Sequence, residues 1–294
     1  MNKKQIQSIT QAPLPTFIVI GAMRAGTTSL HYNLARHPDI LMSKRKETNF
    51  FSDDAYWQEG SAWYGKQFRK TTSRCIGESS PSYTRRPIIT QTAKRMHQLL
   101  PDLRLIYLVR SPLERSMSHF FHHMLMEGNS KNLEKSFSLT SPVVTQSLYG
   151  YQLALYQRHY ADSRIKVVVS EELFQAPRRA MSSIFEFLNI KSNFYHPDFA
   201  IPQHSGLDLP PVGFFSPKSW QLLRGFLEQD YLFKKNQAKA LLLFFRKENS
   251  EFVNSFNLAA DHWYEYELFR AYEQKYLKAL RDLIDHTFFS QISI

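Results

Sequence analysis

One stretch decides the fold of this chain: Phe17-Ile-Val-Ile-Gly21-Ala-Met-Arg24-Ala-Gly26-Thr-Thr-Ser29-Leu. An apolar, β-branched run ends in a turn punctuated by glycines, and the turn opens into a helical pattern. This order predicts a strand, a loop and a helix N-terminus. The N–H groups of a first helical turn have no acceptor inside the helix, so they attract an anion. We therefore expect the loop to hold a phosphate. Six of its residues are called the anion loop from here on: Arg24, Ala25, Gly26, Thr27, Thr28 and Ser29.

The anion loop differs from the loop of a nucleotide triphosphatase at one position. The spacing Gly21-x-x-x-x-Gly26 is that of a P-loop, but Thr27 stands where those enzymes carry a lysine. The cationic side chain lies inside the loop instead, as Arg24. The sequence therefore predicts a phosphate site that lacks the usual equipment for a magnesium-bound triphosphate.

Strand-like and helix-like segments alternate along the first two thirds of the chain. The predicted elements are strands at 17–20, 74–77, 103–109 and 165–169, and helices near 28–36, 88–100, 112–126, 146–160 and 176–189. This alternation predicts an α/β fold whose parallel sheet is covered by helices on both faces. After residue 190 the pattern changes to a long loop at 192–217 and helices at 218–246 and 259–288. We expect a single domain over 1–294, with an α/β core at 16–190 and a helical C-terminal elaboration at 191–294.

The composition limits the partners and the compartment. The net charge of +11 suits nucleic acid, anionic membranes or ligands that bear phosphate or sulfate, and a solvated basic surface explains it equally well. Cys75 is the only cysteine, which excludes an intramolecular disulfide and a Cys-x-x-Cys metal site. No apolar run has the length of a signal peptide or a membrane span. We therefore expect a cytoplasmic protein that binds no membrane.

Two polar motifs follow predicted strands. Glu78 comes directly after the second strand and is suited to be a general base, although a solvated turn residue explains it as well. Arg110 follows the third strand, and Ser118 lies about two turns into the next helix. These two could bind a second phosphate, or they could be an ordinary helix cap with a surface arginine. Because ligands bind at the carboxyl ends of parallel strands, we expect the anion loop, Glu78 and Arg110 at one edge of the sheet.

Aromatic and charged residues cluster in two irregular regions. One region contains Lys46, Glu47, Trp63 and Tyr64, where aromatic rings either pack the loop down or line a substrate groove. The other is the segment 191–262, a loop of the kind that often closes over a cleft. We expect it to cover the acceptor, with three candidate contacts: Phe214, Phe215 and Trp220.

Taken together, the motifs resemble the sulfotransferases that use 3′-phosphoadenosine 5′-phosphosulfate (PAPS). Within that family, the motifs are most similar to those of the heparan-sulfate branch and its bacterial small-molecule relatives. The matching text is Ile20-Gly-Ala-Met-Arg-Ala-Gly-Thr-Thr-Ser-Leu, His37-Pro-Asp, Lys46-Glu-x-x-Phe-Phe, Trp63-Tyr, Gly77-Glu-x-x-Pro-x-Tyr83, Arg110-x-Pro-x-x-Arg-x-x-Ser118, Ser147-Leu-Tyr149, Val167-Val-Val-Ser-Glu-Glu-Leu and Phe185-x-Phe-Leu188. The resemblance covers roughly residues 16–190, and the order and spacing of the motifs make it specific.

The resemblance implies a P-loop-NTPase-like, three-layer α/β/α fold and assigns roles to residues. The anion loop would hold the 5′-phosphosulfate of PAPS, while Arg110 and Ser118 would hold its 3′-phosphate. Glu78 would be the base, and Tyr83 and Tyr149 would line the active site. The product would be 3′-phosphoadenosine 5′-phosphate (PAP), formed by in-line transfer without a metal.

The chain also departs from that branch. Arg24 stands where the heparan-sulfate enzymes mostly have lysine, no clean copy of the family's C-terminal phosphate loop is present, and 191–262 does not match. We expect a small-molecule acceptor, a secondary metabolite with a hydroxyl or an amine, and no nucleic acid. The oligomeric state stays open. A P-loop kinase-like phosphotransferase and a basic nucleic-acid-binding protein remain the alternatives.

Overall fold

The computed structural model describes residues 13–69, 72–127, 132–201 and 217–292, with the backbone alone at 217–220, 283 and 286–292. The contacts between residues divide the chain into two compact units. Unit 1 combines residues 1–109 with 151–203, and unit 2 combines 110–150 with 204–294. The segment 110–150 therefore groups with the C-terminal helices, whereas the sequence pattern suggested a core running unbroken to residue 190. That the whole chain acts as one domain stays a prediction.

Unit 1 contains a five-stranded sheet, in which every strand pair is parallel. The strands are β1 Phe17–Gly21, β2 Ile40–Met42, β3 Cys75–Ser79, β4 Arg104–Val109 and β5 Ile165–Val169, in the spatial order β2-β3-β1-β4-β5. Every residue of β1 is buried, as expected for a central strand of a sheet that is covered on both faces. The predicted parallel α/β core is confirmed. Strand β2 was not predicted, because three residues are too few to show a period.

Helices connect the strands and form most of the chain after Val109. The longer ones are α1 Thr27–Ala35, α4 Thr92–Leu99, α5 Pro112–Glu127, α8 Tyr149–Gln157, α10 Pro177–Phe187, α11 Pro217–Leu227, α12 Lys235–Ser255 and α13 Tyr266–Ile292. The short ones are α2 Asp54–Gln58, α3 Gly60–Gly65, α6 Leu133–Ser136, α7 Pro142–Thr145 and α9 Ser170–Gln175. No helix in the described part of the chain is long and apolar enough to cross a membrane.

Close packing fixes the centre of the sheet. Gly77 of β3 lies against the ring of Phe17, and a Cβ at this glycine would come within 2.1 Å of the ring. Phe17 is completely buried and pairs with Gly77 across the β1–β3 ladder. The glycine therefore lets the aromatic ring fill the space above the neighbouring strand.

Unit 2 is helical in its described residues, and its core is built by apolar residues of α5, α11, α12 and α13. The sequence predicted one helix over 218–246, but the structure breaks it between α11 and α12. The break follows from a tertiary contact, because Glu273 of α13 accepts hydrogen bonds from the backbone N–H groups of Leu232 and Phe233. Those N–H groups are then satisfied without a continuous helix.

Candidate active site

The anion loop joins β1 to α1 in unit 1. Gly26 is the N-cap of α1, with a left-handed backbone (φ 92°) and no side-chain cap, and the first turn of the helix has no acidic residue. The N–H of Leu30 donates to the carbonyl of Gly26 at 3.2 Å, which closes the first helical turn on the capping glycine. A helix start of this kind presents positive partial charge that no acidic side chain of its own first turn offsets.

The backbone of the anion loop is bent at Arg24 and Gly26, which both have positive φ (69° and 92°). Turns that contain left-handed residues gather successive N–H groups around a concavity that binds anions. A side chain at Gly26 would be strained by that φ and would also approach the ring of Phe174 to 3.3 Å. The geometry therefore fits a bound phosphate or phosphosulfate.

A hydrogen bond ties α1 to the end of β3. His31, one turn into α1, has its Nδ1 3.0 Å from the hydroxyl of Ser79, the last residue of β3. Burial, and to a lesser degree the charge of Lys46, lower the pKa of His31 to about 4. The imidazole is therefore neutral at pH 7 and acts as a fixed link between the loop helix and the sheet edge.

Lys46 and Glu47 lie in a turn beside the same strand end. The N–H of Glu47 donates to the carbonyl of Ser79 at 3.0 Å, and the backbone of Glu47 is left-handed (φ 64°). Its carboxylate forms an ion pair with Lys46, and 45% of its side chain is exposed. The turn therefore places a solvent-accessible carboxylate and an ammonium group at the edge of the sheet that carries the anion loop.

Glu78 lies in β3 and has a different environment from the one expected. It is 0% exposed, and both carboxylate oxygens accept hydrogen bonds from hydroxyls. Tyr64 and Tyr83 donate to Oε1 at 3.0 and 2.7 Å, while Thr48 and Ser80 donate to Oε2. Burial raises the pKa of Glu78, and these four hydrogen bonds oppose the rise. A general base must touch the acceptor, so the closed position of this carboxylate argues against the role predicted for Glu78.

The aromatic residues expected in the active site separate into two groups. Tyr64, Tyr83 and Tyr149 are buried and use their hydroxyls inside the protein, so the structure does not support substrate contacts for them. Trp63 remains partly exposed and stacks on Tyr56, with ring centroids 4.8 Å apart. Of the predicted aromatic contacts in unit 1, Trp63 alone keeps access to a substrate in the described structure.

Arg110 begins unit 2 and directly follows the last residue of β4. Tyr149 holds its backbone, because the tyrosine hydroxyl donates to the Arg110 carbonyl at 2.6 Å and lies 3.3 Å from the Arg110 N–H. The guanidinium donates to Glu114 at 2.6 Å and lies over the ring of Tyr272. Ser118 is a buried residue of α5. The sequence predicted Arg110 and Ser118, but not the side chains that hold the arginine.

Some predicted contacts cannot be placed. Phe214 and Phe215 lie outside the described residues, and only the backbone of Trp220 is described, as part of α11. Among the side chains that the structure describes, no three His, Cys, Asp or Glu residues cluster in a way that could hold a metal ion. Nothing in the sequence singled out Thr48 or Ser80, although both lie inside or next to the motifs that contain Glu47 and Glu78.

Comparison with known proteins gives the family. The model of the sulfotransferase domain matches residues 14–200. A membrane-associated sulfotransferase of Dictyostelium discoideum, kil1, is 42% identical over 130 residues, which are 42% of this chain and 26% of that protein. A heparan sulfate glucosamine 3-O-sulfotransferase 6 of Mus musculus is 29% identical over 196 residues, 60% of this chain and 53% of the relative. The chain thus spans about half or less of the length of these curated relatives.

A solved structure supports the fold. The sulfotransferase from Alicyclobacillus acidocaldarius superposes with a TM-score of 0.63 at 20% identity, covering 86% of this chain and 100% of that one. This likeness confirms the P-loop-like, three-layer α/β/α fold that the sequence predicted. The family match covers more than half of the chain and includes the anion loop, Glu47, Glu78 and Arg110. The chain therefore belongs to the sulfotransferase family.

Proposed function

We propose that this protein is a sulfotransferase that takes the sulfuryl group from PAPS and releases PAP. The observation that carries the proposal is the start of α1, where a left-handed glycine caps the helix without any side-chain cap or acidic residue in the first turn. Arg24 adds a full positive charge to the same loop. An anionic ligand would therefore balance the positive charge of this helix start and of Arg24.

PAPS carries negative charge at two ends, and we propose a separate group of residues for each end. We assign the 5′-phosphosulfate to the anion loop and the 3′-phosphate to Arg110 and Ser118. A guanidinium suits a phosphate because it offers parallel N–H donors that pair with two oxygens. The support for this assignment is the rigid environment of Arg110, whose backbone and side chain are both held by neighbours.

When bound, PAPS would supply an activated sulfuryl group with its 5′-phosphate as the leaving group. Arg24 and the N–H groups at the start of α1 stabilise negative charge at the loop. An arginine stays protonated, so Arg24 acts through its charge and does not deliver a proton. Positioning of the donor by two separate anion contacts contributes further to the rate.

The structure favours Glu47 over Glu78 as the residue that takes the acceptor's proton. Glu47 exposes nearly half of its side chain, whereas Glu78 exposes none. The backbone of Glu47 is bonded to Ser79, which His31 links to the helix of the anion loop. Glu78 accepts a hydrogen bond from Thr48, which directly follows Glu47, and so helps to hold the turn that carries Glu47.

The acceptor remains a proposal drawn from the surroundings of Glu47. Lys46 and Trp63 are the accessible candidates for contact, and the region 191–294 is the proposed lid on the acceptor side. We expect a small molecule with a hydroxyl or an amine. Because relatives are named for heparan sulfate glucosamine, amino sugars belong in the first acceptor panel next to secondary metabolites. The cytoplasmic location stays a prediction.

The experiment for the main proposal measures transfer of label from ³⁵S-PAPS to an acceptor panel, with PAP formation followed in parallel. Labelled product from PAPS, and none from γ-³²P-ATP, is the expected result. Transfer from ATP would replace the proposal with the kinase-like alternative. Salt-dependent DNA or RNA binding without any PAP binding would favour the nucleic-acid alternative.

The pair Glu47→Gln and Glu78→Gln tests the identity of the base. We expect Glu47→Gln to lower kcat by about 10²–10⁴-fold, with unchanged affinity for PAP. We expect Glu78→Gln mainly to lower the melting temperature, with a smaller loss of kcat. A folded Glu78→Gln protein that has lost turnover, beside an active Glu47→Gln protein, would restore Glu78 as the base.

A further inference from the structure

Arg110 is held by three side chains of unit 2, and one of them comes from the C-terminal helix. Tyr149 fixes the backbone of Arg110 through its hydroxyl. Glu114, in the first turn of α5, accepts a hydrogen bond from the guanidinium at 2.6 Å. The third residue is Tyr272 of α13, which lies beyond the residues 14–200 that match the family model.

Tyr272 contacts the guanidinium through its ring. The Arg110 Cζ lies 5.2 Å from the centre of the Tyr272 ring, within the range of a cation–π contact. Burial raises the pKa of Tyr272, and the charge of the nearby Arg110 opposes the rise. A planar guanidinium that is held by a ring and by a carboxylate loses most of its rotational freedom.

The position of Tyr272 is itself fixed. The neighbouring Glu273 is buried, pairs with Arg270 and accepts the N–H groups of Leu232 and Phe233. One turn further along α13, Tyr276 packs against Phe121 of α5, with ring centroids 5.9 Å apart. These contacts fix how α13 is rotated about its axis near Tyr272 and where this part of the helix lies along that axis.

We propose that Tyr272 is a positioning residue for Arg110, which it holds in the orientation that receives the 3′-phosphate of the nucleotide. The inference rests on the proposed function, in which Arg110 binds that phosphate. An arginine that is already ordered loses less rotamer entropy when the ligand binds, and affinity rises accordingly. The C-terminal helix, although outside the family match, then contributes to the preference for a nucleotide with a 3′-phosphate.

The test compares the affinities for PAP and for adenosine 5′-phosphate by calorimetry. For Tyr272→Leu we expect the PAP affinity to fall about tenfold, the loss of a partly desolvated cation–π contact, with the adenosine 5′-phosphate affinity unchanged. Tyr272→Phe keeps the ring and should retain most of the preference for PAP. Tyr195→Leu is the matched control, because Tyr195 makes the same kind of contact with Arg178, whose Cζ lies 4.0 Å from the ring centre, and neither residue is among those that hold Arg110 or fix α13. The control should keep the wild-type ratio of the affinities for PAP and for adenosine 5′-phosphate.

Three results would contradict the inference or its basis, and they are distinguishable. If Tyr272→Leu keeps the wild-type ratio while Arg110→Met abolishes the preference for PAP, Tyr272 does not position Arg110 and the proposed function stands. Equal losses for both nucleotides in Tyr272→Leu also overturn the inference, since they indicate a general structural role. A wild-type protein without any preference for PAP overturns the proposed role of Arg110 itself. If Tyr272→Leu does not unfold cooperatively, Tyr272→Met replaces it in the same comparison.

Discussion

Protonation of His31 should destabilise unit 1 as the pH falls. His31 is buried, bonds Ser79 and has its pKa lowered from 6.5 to about 4, first by burial and then by Lys46. A histidine whose pKa is lower in the folded state binds fewer protons when folded than when unfolded. Its stabilising contribution is therefore present above pH 6.5 and is lost as the pH falls toward 4.

The size of the effect follows from the shift. At about 1.4 kcal/mol per pKa unit, a pKa lowered from 6.5 to about 4 corresponds to roughly 3 kcal/mol of unfolding free energy between those pH values. Other carboxyl groups also titrate in this range. The comparison therefore needs a variant that lacks only this imidazole, and Asn is suitable because its side-chain amide can replace Nδ1.

Urea unfolding of the wild type and of His31→Asn between pH 7.5 and pH 4.5 measures the contribution. We expect the wild type to lose more stability than the variant on acidification, by about 2–3 kcal/mol over this range. The variant itself should be less stable at pH 7.5, because the bond to Ser79 and some packing change. Parallel pH profiles for the two proteins would refute the assignment of a buried, neutral imidazole at this position.

Three further predictions concern the site. Gly26→Ala should cost about 1–2 kcal/mol of stability, because of its positive φ, and should weaken PAP binding. Gly60→Ala is its control, with positive φ (78°) in open space, and should leave PAP binding unchanged in calorimetry. Glu78→Gln should lower the unfolding free energy by about 1–3 kcal/mol. Burial raises the pKa of Glu78 in the folded state, so the stability that the variant loses relative to the wild type should be largest at low pH and should shrink as the pH rises. Urea unfolding at pH 4.5 and pH 8 measures this difference in stability. A difference that does not change with pH would contradict the raised pKa. Sulfuryl transfer should persist in EDTA, because a sulfuryl group carries less charge than a γ-phosphoryl group; a strict magnesium requirement in the ³⁵S assay would favour the kinase-like alternative.

The sequence was sufficient for the parts of the molecule that depend on local pattern. The run Phe17–Gly21 and the glycine at 26 predict β1, the anion loop and the start of α1. This works because the spacing of apolar residues and the conformational freedom of glycine depend on neighbouring residues alone. The parallel sheet follows from the alternation of strands and helices. The family resemblance then pointed to Arg110 and Ser118, on a spacing that a strand end and a helix cap impose.

The parts that were missed depend on contacts between distant residues. The strand end where Glu78 lies suggested an exposed base, but four hydroxyls from positions 48, 64, 80 and 83 close over it in three dimensions. The interruption between α11 and α12 depends on Glu273, about forty residues away along the chain. No local period carries such information. The sequence placed Glu47 only in a possible substrate groove, so the proposed roles of Glu47 and Tyr272 came from the structure.

The hydroxyl cluster around Glu78 has a consequence for how this protein can change during evolution. One carboxylate serves hydroxyls from three separate segments of sequence, and Thr48 also contacts the hydroxyl of Tyr83. Loss of a single donor leaves a buried oxygen partly unpaired, whereas removal of the carboxylate leaves four hydroxyls to find new partners. Substitutions at these five positions should therefore be strongly epistatic. A lineage that exchanges Glu78 for an apolar residue will have to exchange Tyr64 or Tyr83 for phenylalanine in nearly the same step.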